Sequence, residues 1–234
     1  MGRCRAPCVR VGTSQSWTDP PARKASLPTR DRAAVAPPGP GEQRLAARIG
    51  GVLFRKRSWL PVPFLLVLLL LHGNVTTANS AIAGALLVLG EGWRIWGVSV
   101  AGTATRRRGR RVQRLVTNGP FAIHRNPLYA GNFLIWLAVV TFSGVLWFLP
   151  IAAIVFALQY SLIVRYEEAV LESIFGREYL DYKASTPRWL PRLRATSCAC
   201  VPRWGEAWKS ESSTFLQYAA LLVVFLVKHQ LHVP

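Results

Sequence analysis

Residues 127–166 read PLYAGNFLIWLAVVTFSGVLWFLPIAAIVFALQYSLIVRY, and Arg165 is the first charged residue among them. A membrane's hydrocarbon core needs roughly 20 apolar helical residues to cross it, and Ser143-Gly144 is a turn signal within the stretch. The stretch therefore predicts a helical hairpin, with Pro127–Phe142 ascending and Leu146–Tyr166 descending. The descending helix is expected to continue through EEAVLESIF and to end at Gly176, because glycine commonly follows a helix C-terminus.

Further apolar runs lie on both sides of this hairpin. They predict spans at about Trp59–Thr77 and Ala81–Ala101 and a shorter C-terminal run at Phe215–Val227. Regular helix in the first span is expected from about Phe64, because Pro61 and Pro63 precede it.

The composition agrees with a membrane protein, since 51% of the residues are hydrophobic and 17% are charged. We therefore predict an all-α fold, a multi-pass integral membrane helical bundle of about five transmembrane helices. Residues 1–57 are expected to form a disordered basic N-terminal leader, because they carry too little apolar surface to fold alone. Residues 58–194 are expected to form the transmembrane core, and residues 195–234 a basic linker and a C-terminal apolar helix.

The distribution of basic residues predicts an orientation. The net charge is +18, and the basic segments are 1–57, 102–126 and 165–213, whereas residues 72–80 and 143–145 carry no charged side chain. Cytosolic loops are rich in Lys and Arg, so the N-terminus and the basic segments are predicted to be cytosolic. The C-terminal run either spans the membrane or lies in its interface. No nucleic acid partner is expected, since basic loops beside apolar spans are usual in membrane proteins.

Residues 117–132, TNGPFAIHRNPLYAGN, combine turn formers, a His, an Arg and a helix start at one membrane boundary. Local structure explains part of this pattern. Asn118-Gly119-Pro120 is typical of a turn, and Asn126-Pro127 is typical of an N-cap followed by proline in the first helical position. A functional site is the alternative interpretation.

Acidic side chains occur in two predicted helices. Glu167 and Glu168 lie at the C-terminal end of the descending span, where the helix dipole disfavours carboxylates, and either local pairing with Arg165 or a site could offset them. Glu91 and Arg94 lie inside the second span, where their spacing lets them pair. They form either a buried structural pair or part of a polar cavity that receives a substrate head group.

The order of these features is similar to the isoprenylcysteine carboxyl methyltransferase and phospholipid methyltransferase-like family. The resemblance extends from about Ile82 to Pro191. It rests on the following segments: Gly92-Trp93-Arg94, Gly119-Pro120-Phe121, His124-Arg125-Asn126-Pro127-Leu128-Tyr129-Ala130-Gly131, Glu167-Glu168, FGREYLDY, and Pro187-Arg188-Trp189-Leu190-Pro191. The ordered set is far more specific than any one of its members.

The resemblance implies that S-adenosyl-L-methionine binds at the cytosolic membrane boundary, between the GPF/RNPLYAG segment and the helix with Glu167 and Glu168. We call the part of that segment before the ascending helix, residues 119–126, the motif loop. The cofactor-binding residues that it implies are His124, Arg125, Asn126, Tyr129, Gly131, Glu167 and Glu168. Glu167, Glu168 and Tyr129 are the catalytic candidates, and Glu91 and Arg94 are the candidates for substrate binding. Asn126 stands where carboxyl methyltransferases often have His and where phospholipid methyltransferases also have Asn.

A methyltransferase acting on a membrane-embedded or amphipathic acceptor is the leading hypothesis. The acceptor is either the carboxylate of an isoprenylcysteine-like substrate or a lipid head group. The alternatives are a membrane reductase of the sterol-reductase type that uses NADPH, and a non-catalytic membrane protein whose motif residues only cap helices.

Overall fold

The computed structural model describes residues 41–102, 114–191 and 202–231. Within these ranges all regular secondary structure is helical, which confirms the predicted fold class. The helices are α1 Gly41–Lys56, α2 Pro61–Leu70, α3 Thr77–Ala101, α4 Pro120–Ile123, α5 Pro127–Phe142, α6 Leu149–Phe175, α7 Arg177–Ser185 and α8 Trp204–Leu231, with a 3-10 turn at Leu146–Phe148.

In the described part of the chain, three helical segments are long and apolar enough to cross a membrane, namely Thr77–Ala101, Leu146–Phe175 and Trp204–Gln230. Helices α2 and α5 are apolar but shorter. The predicted hairpin is present, and α5 has the predicted bounds. Helix α6 ends at Gly176, whose φ of 52° lies in the left-handed region that glycine tolerates best, as the sequence predicted.

Helix α8 is far longer than the apolar run Phe215–Val227, since it contains 28 residues. It runs antiparallel to α3 along the whole bundle. At one end the Arg203 amide donates to the Ser99 carbonyl (2.9 Å). At the other end the Lys228 ammonium donates to the Leu68 carbonyl (2.8 Å). The apolar run predicted only part of the helix, because its first turns are polar.

The predicted disorder of residues 1–57 is wrong for residues 41–56, which form α1. This helix packs against α6 through Gly50 and Gly51. A Cβ atom at Gly50 would lie 2.3 Å from the Leu162 carbonyl oxygen, and one at Gly51 would lie 3.1 Å from the Tyr166 ring. The apolar content of the segment did not predict this contact, because the contact involves the backbone of two glycines and not apolar side chains. Residues 1–40 lie outside the described ranges.

The two uncharged loops meet at the same end of the bundle. Gly144 has a φ of 76°, and a Cβ atom there would lie 2.6 Å from the Asn74 backbone. A Cβ atom at Gly73 would lie 2.3 Å from the Ser143 carbonyl oxygen. The hairpin turn and the loop before α3 are therefore in direct backbone contact, away from the end that carries the motif loop.

A series of aromatic rings forms the middle of the bundle. Phe64 of α2 stacks on Trp136 of α5 with ring centroids 4.4 Å apart, and Trp136 contacts Phe156 of α6 edge-on at 5.5 Å. Phe156 stacks on Tyr160 at 4.0 Å, and Tyr160 lies 4.8 Å from Tyr129. This apolar core therefore leads directly to the motif residue Tyr129.

Helices α3 and α5 cross at two glycines. A Cβ atom at Gly90 would lie 2.8 Å from the Gly131 carbonyl oxygen, and one at Gly131 would lie 2.7 Å from the Gly90 carbonyl oxygen and 2.6 Å from the Arg94 side chain. Small residues at a crossing allow membrane helices to approach closely. Gly131 therefore sets the distance between the two helices.

We expect Gly90→Ala to lower the free energy of unfolding by about 1–3 kcal/mol, because the added methyl group meets backbone in a packed crossing. Gly92→Ala is the matched control on the same helix, since nothing lies within 4 Å of a Cβ atom there. Thermal unfolding in detergent measures both variants. Equal stability of the two variants would contradict this account of the crossing.

Candidate functional site

The motif loop before α5 is hydrogen-bonded to α7 and to residues 187–191, which we call the closing segment. The Arg125 amide donates to the Pro187 carbonyl (2.9 Å), and the Arg125 guanidinium donates to the Lys183 carbonyl (3.2 Å). The Tyr182 hydroxyl donates to the Phe121 carbonyl (2.6 Å), and burial raises the pKa of Tyr182, so this donor keeps its proton. The two segments thus form one unit.

The Asn126 side chain has a different role from the N-cap that the sequence suggested. Asn126 occupies the N-cap position of α5, but its side chain makes no cap hydrogen bond. Its amide nitrogen donates instead to the Arg188 carbonyl (3.1 Å). The prediction of a capping side chain is therefore wrong, because a tertiary partner replaces the local one.

Glu168 is the electrostatic centre of this unit. Arg188 binds its carboxylate in a bidentate manner, at 3.0 and 2.7 Å, and Arg125 lies 3.2 Å from one of the same oxygens. The side chain of Glu168 is 7% exposed. The suggested local pairing with Arg165 is wrong, since the partners of Glu168 come from the motif loop and from the closing segment.

Glu167 has a much looser environment, although it is the next residue along the helix. Its nearest recorded cationic contact is a single Arg57 nitrogen at 3.7 Å, and the Glu167 side chain is 28% exposed. The Tyr129 hydroxyl lies close to the Glu167 carboxylate. The paired glutamates therefore differ, because two guanidinium groups neutralise the buried Glu168, whereas Glu167 is partly exposed and has a single, more distant cation among the described residues.

Tyr129 lies at the point where the apolar core meets these carboxylates. It is buried, its ring contacts Tyr160, and its hydroxyl reaches Glu167. The arrangement brings together Tyr129, Glu167, Glu168 and Arg125 among the residues that the sequence suggested for the site. Gly131 lies two residues further along α5, at the helix crossing.

His124 is also buried and lies against α3. Its ring is parallel to that of Trp93, with centroids 5.9 Å apart, and its Nδ1 atom has no hydrogen-bond partner in the described structure. Burial lowers the pKa of His124, so the ring is neutral at pH 7. A neutral ring cannot provide the positive charge that would attract a cofactor carboxylate.

Glu91 and Arg94 pair inside the bundle as predicted, with a nitrogen to oxygen distance of 3.4 Å. Helix α8 adds two partners. Glu211 binds the Arg94 guanidinium at 3.0 Å, and the Tyr218 hydroxyl donates to Glu91 (3.1 Å). The buried cluster of Glu91, Arg94 and Glu211 therefore has two carboxyl groups for one guanidinium.

A polar path joins this cluster to Tyr129. Arg94 donates to the Asn132 side-chain oxygen, and the Asn132 side chain lies close to the Tyr160 hydroxyl. Tyr160 in turn contacts the Tyr129 ring. The candidate substrate residues and the candidate catalytic residues are thus connected through α5 and α6.

Sequence reasoning missed Arg57, Glu211, Tyr218 and the bidentate role of Arg188. Arg188 was part of the closing motif, but nothing in the motif indicated its partner. Arg57 stood at the end of a segment assigned to disorder. Glu211 carried a usable signal, since an acidic residue shortly before an apolar run often needs a buried partner.

Arg125 also lines an open depression of about 550 Å³ on the surface of this unit. The other lining residues are Lys183, Ala184, Ser185, Thr186, Pro187, Leu190 and Pro191. Arg125, which binds Glu168, thus also borders this open space. In the ranges that the structure describes, no group of three or more His, Cys, Asp or Glu side chains is arranged to hold a metal ion.

We expect Glu168→Gln to cost about 2–3 kcal/mol of stability, because it leaves Arg125 and Arg188 without their shared carboxylate. Glu172→Gln is the control. Its partner Lys183 lies 3.3 Å away and both side chains are more than a third exposed, so about 0–1 kcal/mol is expected. Chemical or thermal unfolding in detergent compares them, and similar losses in both variants would argue against Glu168 as the centre of the unit.

Comparison with known proteins shows which families the chain resembles. The profile of the phospholipid methyltransferase family matches residues 78–178, which include α3, the motif loop and the paired glutamates. The chain is 32% identical over 169 residues to the nickel-cobalt-cadmium resistance protein NccN of Alcaligenes xylosoxydans xylosoxydans, covering 69% of this chain and 73% of that protein.

Two further relatives extend the comparison. The cobalt-zinc-cadmium resistance protein CzcN of Cupriavidus metallidurans is 31% identical over 173 residues, covering 72% of this chain and 75% of that protein. The protein-S-isoprenylcysteine O-methyltransferase B of Arabidopsis thaliana is 33% identical over 114 residues, covering 45% and 56%. No solved structure matches the chain.

The ordered motifs, the helical membrane fold and these relatives agree. The chain belongs to the isoprenylcysteine carboxyl methyltransferase and phospholipid methyltransferase-like family.

Proposed function

We propose that this membrane protein is an S-adenosyl-L-methionine-dependent methyltransferase that acts on a membrane-embedded or amphipathic acceptor. The observation that carries the proposal is the partly exposed carboxylate of Glu167, which has one distant cation among the described residues and lies beside the Tyr129 hydroxyl. When bound, S-adenosyl-L-methionine supplies an activated methyl group on a positively charged sulfur. A carboxylate that is short of positive charge suits such a group.

The residues around Glu167 fit the other parts of this cofactor as well. Arg125 has a buried Nε atom without a hydrogen-bond partner in the described structure, and it borders the open depression. We propose that Arg125 attracts the cofactor carboxylate and that Asn126 and Tyr129 shape the adjacent wall. Glu168 positions Arg125. His124 and Gly131 support the proposed site through packing, with His124 against Trp93 and Gly131 against Arg94.

The protein contributes mainly alignment and exclusion of water, because methyl transfer is an in-line displacement. The buried Tyr129 ring and its neighbour Tyr160 keep water away from one side of Glu167. A carboxylate acceptor needs no general base, since it is ionised at neutral pH. An amine acceptor has to lose a proton, which Glu167 can accept.

We propose that Glu91 and Arg94 bind the acceptor's polar group within the membrane. Support comes from the buried cluster that they form with Glu211 and from the path through Asn132 to the candidate catalytic residues. The acceptor classes remain the carboxylate of an isoprenylcysteine-like molecule and a lipid head group. The names of the two metal-resistance relatives state no chemistry that would choose between them.

Ligand binding to the purified protein tests the proposal against its rivals. Saturable thermal stabilisation by S-adenosyl-L-methionine and S-adenosylhomocysteine, and not by NADPH, is expected for a methyltransferase, because a ligand that binds the folded state raises its stability. Stabilisation by NADPH alone would favour a reductase of the sterol-reductase type. Stabilisation by none of the three would favour a non-catalytic protein.

A substitution at Glu167 sharpens this test. We expect Glu167→Gln to weaken S-adenosyl-L-methionine binding by about 1.5–3 kcal/mol, roughly ten- to a hundredfold, because the shape is kept and the charge-assisted contact is lost. Glu172→Gln, which changes a carboxylate paired with Lys183, should bind normally. Isothermal titration in detergent gives both affinities, and equal affinities in well-folded variants would refute the assignment of Glu167.

We also propose that the motif loop faces the cytosol, together with the N-terminus. Support comes from the charge of residues 102–126 and 165–213 and from the contact between the two uncharged loops at the other end of the bundle. Residues 103–113, which hold most of the basic run, lie outside the described ranges.

Cysteine labelling in intact cells tests the orientation. In a background that lacks the four native cysteines, Ala78→Cys should react with an impermeant maleimide added outside, because Ala78 is exposed at the start of α3. Glu178→Cys, exposed in α7, should react only after permeabilisation. The reverse pattern would invert the proposed topology.

A further inference from the structure

The contact between Arg57 and Glu167 is looser than the other ion pairs of the site. Its nitrogen to oxygen distance is 3.7 Å, whereas Arg188 reaches Glu168 at 2.7 Å. Charge-assisted hydrogen bonds between nitrogen and oxygen are normally about 2.7–2.9 Å long. Arg57 therefore neutralises Glu167 at a distance and makes no short hydrogen bond to it. Separation of the pair thus loses only a weak electrostatic interaction.

Arg57 has a second partner that it can keep when it leaves Glu167. Its guanidinium carbon lies 4.5 Å from the centre of the Phe54 ring, within the range of a cation–π interaction. The Arg57 side chain is 23% exposed, so solvent reaches it as well. A rotation of the Arg57 side chain can therefore free Glu167 without leaving the Arg57 guanidinium unpaired.

The helix that precedes Arg57 does not have to move for this rotation. Gly50 and Gly51 of α1 pack closely against Leu162 and Tyr166 of α6. The Phe54 ring also contacts Tyr166, with centroids 5.7 Å apart. Phe54 and the backbone before Arg57 are thus held against the same helix that carries Glu167.

We propose that Arg57 is a stand-in for the positively charged sulfur of the methyl donor. Its guanidinium holds Glu167 until a cationic ligand displaces it, and it returns when the ligand's positive charge is lost. This inference rests on the proposed function. It assigns to α1 and Arg57 a part in the site that neither the family profile, which begins at residue 78, nor the motif includes.

The charge balance of the reaction gives this exchange a purpose. In methyl transfer the bond between carbon and sulfur breaks, its electron pair stays on sulfur, and a new bond forms between the methyl carbon and the acceptor. The sulfur changes from a cation to a neutral thioether. Glu167 then loses its partner, and the return of Arg57 restores neutrality and favours release of the product.

The affinities for S-adenosyl-L-methionine and S-adenosylhomocysteine test the inference, because the two ligands differ by one methyl group and the charge on sulfur. We expect Arg57→Gln to bind S-adenosyl-L-methionine roughly three- to tenfold more tightly, since a competing cation has been removed. Binding of S-adenosylhomocysteine should change less than about twofold. Isothermal titration of the full chain in detergent measures all the affinities.

Two control variants separate charge from shape. Arg57→Lys keeps the competing charge and should retain the wild-type ratio of affinities. Arg55→Gln removes an exposed charge from the last turn of α1 and should also leave the ratio unchanged. A shift of the ratio in either control would show that the effect does not come from the Arg57 charge, and would overturn the inference.

The failures of the two proposals are distinguishable. If the wild-type protein binds neither ligand, the proposed methyltransferase function fails, and the role of Arg57 fails with it. If the wild type binds both ligands and Arg57→Gln weakens both, or changes both by the same factor, only the stand-in role is overturned. Tighter binding of the charged ligand alone supports it.

Discussion

The shared carboxylate of Glu168 is the interaction on which the site depends. Arg125 and Arg188 converge on it from the motif loop and from the closing segment, which are far apart in sequence. A buried charge is costly unless it is paired, so the buried side chains of Glu168 and Arg125 depend on each other, and the partly exposed Arg188 supplies a second cation. The Asn126 and Tyr182 hydrogen bonds follow from the same contact, because it brings their segments within reach.

The sequence predicted those parts of the fold that local signals determine. The bounds of α5 were predictable because Pro127 starts the helix and Ser143-Gly144 ends it, and Gly176 ends α6 for a similar reason. The partners of Glu168 and the side-chain role of Asn126 were not predictable, since both depend on a segment about 60 residues away from the motif loop. Periodicity and spacing carry no information on such contacts.

The packing of α1 and α8 was also not predictable, because it too depends on contacts between residues far apart in sequence. Helix α1 packs against α6 at Gly50 and Gly51, which have no side chain and so allow close approach. The amino-acid composition of the segment does not predict this kind of packing. Glu91 and Arg94 were recognised as a pair, whereas Glu211 belongs to α8 and approaches them only because that helix runs the length of α3.

The polar interior of the bundle is continuous, which ties its packing to its chemistry. Arg94 contacts Glu211 on α8 and Asn132 on α5, and its side chain lies against Gly131 at the crossing of α3 and α5. Asn132 reaches Tyr160, whose ring supports Tyr129 beside Glu167. A shift of α8 or of the helix crossing therefore has a direct route of contacts to the candidate catalytic carboxylate. Helix α8 lies beyond the family profile, yet through Glu211 it helps to fix the position of residues that the profile covers.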